Sequence, residues 1–259
     1  MPSIFNLIWS KEIREGLYTW KGLVWLVIAS ILFSFTSYLL LTNKELSLLD
    51  QAELLWLLSK IILVVALLIV TIDASMVIAT EFEKETAESL FLAPLSIRDF
   101  ILGKFLASFT LWLALFIVAV PYMLATSAGS HLAPAFLGYV LLLGSLGVIG
   151  FIFFIFALSL LYRSSKSTLT TSLMLLLAFT APALFSSTLK TATVATTISK
   201  INPIDNIFSS LDNVLVDFQT TLSQNWQFLF PLIVFCLVTF VFLSFSISVF
   251  RRQGIIRNE

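Results

Sequence analysis

The chain has 259 residues, 59% of them hydrophobic and 12% charged, and its fifteen basic and fifteen acidic side chains cancel to a formal net charge of zero. That charged share is about half the usual value for a soluble domain, too little to cover a water-facing surface, so the bilayer is the expected solvent. Zero net charge argues against a nucleic-acid partner. The single cysteine, Cys236, excludes a disulfide framework or a cysteine metal site within the chain, and the single histidine, His131, has no companion for a histidine cluster.

The first predicted element is an amphipathic helix over residues 4–17. Phe5, Ile8, Trp9, Ile13 and Leu17 share one helical stripe, and Asn6, Ser10, Lys11, Arg14 and Glu15 fall elsewhere. Such a helix lies in a membrane interface. It serves either as a surface anchor or as part of a docking surface. Its charges follow its apolar residues, the reverse of a secretory signal peptide, so the segment reads as retained.

Six apolar runs then approach or exceed the about 20 residues a spanning helix requires. They are residues 22–41, 54–78, 100–124, 135–161, 169–185 and 228–250. The second carries Lys60 and Asp73. Ionisable groups inside spans are functional candidates by default. Lys60 lies near one end, where it can snorkel to the interface. Asp73 is the candidate intramembrane polar site, with a mechanistic role and a local hydrogen-bonding role both open. The two are thirteen positions apart, about 20 Å of helical rise, so they do not pair. Gly144, Gly147 and Gly150 recur every three residues in the fourth run, a pattern for close helix packing. The fifth run is short and carries Pro182, and Pro121 lies in the third.

Between the second and third runs lies "EFEKETAESLFLAPLS", residues 81–96. It opens with Glu81, Glu83, Glu85 and Glu88, turns apolar at Leu90, Phe91 and Leu95, and meets a helix-stopping Pro94 before Ser96. The expectation is a short helix tied between two spans. A second amphipathic helix is expected at residues 202–218, before the last run. Asn202 suits an N-cap and Pro203 the first turn. Ile204, Ile207, Phe208, Leu211, Val214, Leu215 and Phe218 keep helical spacing. It would rest on the outer bilayer face or cap the outer mouth of a pathway.

Six spans put both termini on one side. With the termini inside, inner segments hold Lys11, Arg14, Lys21, Lys84, Arg98, Lys104, Arg163, Lys166, Arg251, Arg252 and Arg257, against Lys44, Lys60, Lys190 and Lys200 outside. Eleven against four places both termini in the cytoplasm by the positive-inside rule. No phosphate-binding G-x-x-x-x-G-K-[ST] loop, G-x-G-x-x-G, H-E-x-x-H or G-x-S-x-G occurs, so no catalytic or metal residues are assigned.

The stretch 81–104 resembles the signature of type-2 ABC exporter permeases: an acidic run, G-T-x-E, leucines, x-P-[LV]-S, then a span opening with L-G-K. Glu81-Phe82-Glu83-Lys84 is the acidic run, and Thr86 and Glu88 match the threonine and glutamate. Leu90 to Leu92 match the apolar stretch, Ala93-Pro94-Leu95-Ser96 the next element and Leu102-Gly103-Lys104 the last. The family's glycine is Glu85 here. The resemblance implies an all-α membrane protein forming one permease domain over residues 1–259: six transmembrane helices, the N-terminal interfacial helix, a cytoplasmic coupling helix between spans two and three, and the external helix before span six. It implies a multi-pass protein of the plasma membrane, the inner membrane of a bacterium.

It implies no cofactor in this chain, with ATP and Mg on separate ATPase subunits. Those subunits would be coupled through Glu81, Glu83, Glu85, Glu88, Leu90, Phe91, Pro94, Leu95 and Ser96. A second permease, identical or paralogous, would complete the pathway at a shared interface. Two other readings stay open: a transporter or channel working without ATP, and a membrane scaffold that recruits a cytoplasmic partner.

Overall fold

Lipid offers no partner to a backbone N–H or C=O, so apolar runs of this length satisfy their polar groups internally as helices. The computed structural model describes residues 4–43, 50–84, 96–128, 130–184, 199–218 and 222–252, and among these every regular element is helical. The order is α1 (Ile4–Gly16), α2 (Trp20–Thr42), α3 (Gln51–Glu83), α4 (Ile97–Thr126), α5 (Ala133–Tyr162), α6 (Ser165–Leu184), α7 (Pro203–Leu215) and α8 (Leu222–Arg252). Five of them, α2, α3, α4, α5 and α8, are long and apolar enough to cross a membrane. The fifth expected span corresponds to α6. Its first half, with Ser165, Ser167, Thr168, Thr170, Thr171 and Ser172, lowers its hydropathy below that of the others.

Helix α3 occupies the middle of the bundle, packed by α2, α4, α5, α6 and α7. Its 33 residues make it the longest element, and Asp50 caps its start by accepting a hydrogen bond from the Gln51 amide. Pairings at its two ends fix the direction of the rest. Near its start, the Gln51 side chain donates to the carbonyls of Thr126 and Ala128 at the end of α4. Ser37, late in α2, bonds Thr126 at the same level. At its far end, Phe82 meets Phe250 of α8 edge-on, and Arg163 at the turn into α6 lies over the same ring. The helices therefore alternate in direction and share two ends.

Small residues set the closest seams. A Cβ on Gly144 would come within 2.6 Å of the fully buried Trp112 of α4 and 2.7 Å of Leu63 of α3. Gly147 and Gly150 give the same room to Ile207 of α7 and Phe235 of α8. The glycine repeat thus serves four different neighbours of α5, as close packing in a membrane requires. The outward surfaces of α2 and α8 are the least buried among the five long helices and are lined with Leu, Ile, Val and Phe.

The predicted helix before the last span is present as α7, but it does not rest on a surface. Almost every position is buried, its polar ones included, among α3, α5, α6 and α8. Its polar side reads as water-facing in sequence, yet its partners are protein. Asn206 donates to the carbonyls of Lys200 and Asn202, and Asp205 accepts from Ser199. Ser210 and Asn213 both donate to Asn225 at the start of α8. The Trp56 indole of α3 closes the seam on the Phe208 carbonyl at 2.9 Å. Asn202 is the expected N-cap, accepting from the amides of Ile204 and Asp205.

Candidate functional site

A lysine ammonium sunk among phenylalanines is costly unless carboxylates and carbonyls surround it. Lys104 sits two turns into α4, 1% exposed, and has three such partners on two other helices. Its Nζ donates to Glu12 Oε1 of α1 at 2.8 Å, to the Val77 carbonyl of α3 at 2.8 Å and to Glu81 Oε1 of α3 at 3.2 Å. The Phe100 ring, one turn back on α4, lies 5.0 Å from the same nitrogen. Two turns deeper, Asp73 of α3 pairs with Lys21 at the foot of α2 at 3.3 Å. Both pairs line one polar cavity of about 500 Å³, bounded by Glu12, Lys21, Asp73, Thr80, Glu81 and Lys104 among others.

The same end of α3 reaches a fourth helix. Glu83 accepts hydrogen bonds from the Ser165 amide at 2.7 Å and the Ser165 hydroxyl at 2.8 Å. A carboxylate there satisfies a free amide of the first turn of α6 and complements its dipole. On the far side of the 81–96 segment, Ser96 is the N-cap of α4. Its hydroxyl accepts from the Asp99 amide at 3.1 Å and donates to the Asp99 carboxylate at 2.7 Å. Both borders of the segment are thus tied into the bundle.

Of the residues singled out in sequence, Asp73, Glu81 and Glu83 gather at this charged end, with Ser96 at the start of α4. Glu85, Glu88, Leu90, Phe91, Pro94 and Leu95 lie outside the described residues. Lys60 does not belong to the cluster. It lies at the opposite end, 3.2 Å above the centroid of the Trp56 ring and 5.5 Å from that of Phe208. Sequence reasoning used Lys104 as the last letter of a motif and as one of the inner basic residues, and assigned no site role to it, to Glu12 or to Lys21. The signal was available in Lys104 itself, a cation inside "DFILGKFLASF" that no neighbour on its own helix can neutralise one or two turns deeper.

Residues 41–247 match a family described as ABC-2 family transporter protein. No curated protein matches the chain.

Proposed function

The chain belongs to the ABC-2 transporter family, and from that premise we propose that it is the permease subunit of an ATP-driven exporter. Two permeases, identical or paralogous, form the substrate pathway between them. Separate ATPase subunits carry ATP and Mg and dock at the charged end, where residues 81–96 enter their surface. Closure of the ATPase pair moves that segment and biases the bundle between two arrangements, a rigid-body transition driven by differential contacts.

The observation that carries the coupling is the attachment of that segment. Helix α3 runs unbroken to Glu83, so the first two acids of the stretch, Glu81 and Glu83, belong to the central helix itself. Its first acids grip neighbouring helices, Glu81 through Lys104 and Glu83 through Ser165. In this reading a push that reaches Glu81 and Glu83 arrives at α3, α4 and α6 together.

In this reading α6 is the sixth crossing. It starts beside Glu83 and at Phe179 meets Asn202, which caps α7 at the opposite end. Its 20 residues rise about 30 Å, the thickness of the hydrocarbon core. Six crossings return both termini to one side, and the basic-residue bias makes that side cytoplasmic, in the plasma membrane.

The test is copurification with a phosphate-loop ATPase and measurement of its hydrolysis in the presence of Glu88→Lys plus Leu90→Asp. The expected outcome is loss of the complex, or of the permease-dependent share of ATP hydrolysis. If complex and activity both survive the double change, docking through 81–96 is wrong.

A further inference from the structure

Helix α1 packs along α4 but forms no comparable seam with α3. Between α1 and α3 lies the polar cavity of about 500 Å³. One ammonium bridges it. We infer that Lys104 is a positioning residue that makes α1 and the terminal turns of α3 a single body, so that displacement of either is handed to the other. The inference rests on the proposed role of residues 81–96 and adds a second element, α1, to the device that receives the push.

The geometry carries this in three steps. The Lys104 Nζ divides its hydrogen bonds between two elements, one to Glu12 on α1 and two to Val77 and Glu81 on α3. Its stem is fixed in α4 at 1% exposure, so the ammonium has little freedom to follow one partner and release the other. Each carboxylate is itself mostly buried, Glu12 at 11% and Glu81 at 16% side-chain exposure, so water replaces a lost bond poorly. Lys21 and Asp73 face the same cavity but join α2 to α3 and leave α1 untouched. The other ion pair on α1, Lys11 with Glu15 at 3.9 Å, is exposed and internal to that helix.

The experiment uses the full chain in lipid nanodiscs, in a Cys236→Ser background, with spin labels at Ser10→Cys on α1 and Lys84→Cys at the end of α3. Pulsed electron resonance reads the distance distribution between them. Glu12→Ala removes the arm on α1 and leaves Lys104 paired with Glu81, so the bundle keeps its fold. A charge-assisted bond of this kind shifts the docked-to-undocked ratio of α1 about tenfold or more when lost. The expected result is a broadened distribution in Glu12→Ala and a narrow one in Glu15→Ala, which makes the same charge change one turn away. A wild-type width in Glu12→Ala overturns the inference. So does equal broadening in Glu15→Ala, which would reflect only the charge of α1. The neutral triple variant Lys104→Met, Glu12→Gln, Glu81→Gln supplies a second readout that separates positioning from stability. It should melt near the wild type and still show the broad distribution, and a narrow one there counts against the tie. If no ATPase subunit binds the wild-type chain, the proposed function fails while the distances still decide the tie.

Discussion

At the scale of single residues, the structure turns a motif letter into a physical demand. Lys104 lies where an unpaired charge would cost several kcal/mol, and the chain meets the cost with two carboxylates and a carbonyl. Removing the ammonium alone takes the cation away from two mostly buried carboxylates, Glu12 and Glu81. Lys104→Met is expected to lower stability by about 3–5 kcal/mol, and the neutral triple variant to recover most of that loss. Unfolding followed by titration of a denaturing detergent in mixed micelles measures both. Equal stability of wild type and single variant would show that the ion pairs contribute nothing net. Sequence pointed to Asp73 as the buried acid of interest because it interrupts an apolar run. Nothing in its own neighbourhood named Lys21 as its partner, since the two lie 52 positions apart and meet only once α2 and α3 pack.

At the scale of elements, the helices were legible because their apolar runs are long and lipid allows them no other local structure. Their ends were less so. Helix α3 overruns its apolar run by three residues at the start and five at the end (51–83 against 54–78), because Asp50 caps one end and polar neighbours at the other hold the carboxylates of Glu81 and Glu83. Helix α7 was legible as a helix, and of its two expected settings, resting on the bilayer face does not fit its burial among α3, α5, α6 and α8. Helical periodicity reports which side of a helix is polar, and a polar side satisfied by Asn225, Ser199 and a loop carbonyl looks the same in sequence as one facing water. Its setting has a titration consequence. Burial pushes the Asp212 carboxyl above its ordinary range, as do Asp217 and Glu53 beside it, against the pull of Lys60. A carboxyl whose folded pKa is raised binds its proton more tightly folded than unfolded, so it favours the fold at low pH. That contribution is lost as pH rises from the ordinary carboxylate value through the raised one. Asp212→Asn is therefore expected to be more stable than wild type near neutrality, with the difference shrinking as pH falls from the raised value towards about 4 and levelling off below that. Melting temperatures of the two proteins across that range check it; a difference independent of pH would sink the assignment.

At the scale of the whole molecule, the two shared ends of the bundle make the orientation testable. Single cysteines at Ser167, exposed at the start of α6, and Asp217, exposed after α7, belong to opposite faces. In a Cys236→Ala background, a membrane-impermeant maleimide applied to intact cells is expected to label Asp217→Cys and spare Ser167→Cys. The reverse pattern would invert the protein, and labelling of both would remove α6 from the membrane. Charge counting proposes this orientation directly from sequence, because the count of basic residues near the span ends needs no packing. The gathering of Glu12, Lys21, Asp73, Glu81 and Lys104 could not be counted in that way, since it depends on which of several helices lie side by side.

The length of α3 has one more consequence. A rod of 33 residues is about 50 Å long, well beyond the about 30 Å of hydrocarbon it crosses. Its first turns bear on α7 through Trp56, and its last turns bear on α1, α4 and α6 through Glu81, Glu83 and the Lys104 node. A stiff rod gripped at both ends obeys lever arithmetic: pivoting it by about 5° carries a tip about 4 Å sideways relative to the other, more than the length of a hydrogen bond. A modest tilt imposed at the charged end is thus expected to be felt at the Trp56–Phe208 bond, which places the opposite end of the bundle within mechanical reach of the Lys104 node.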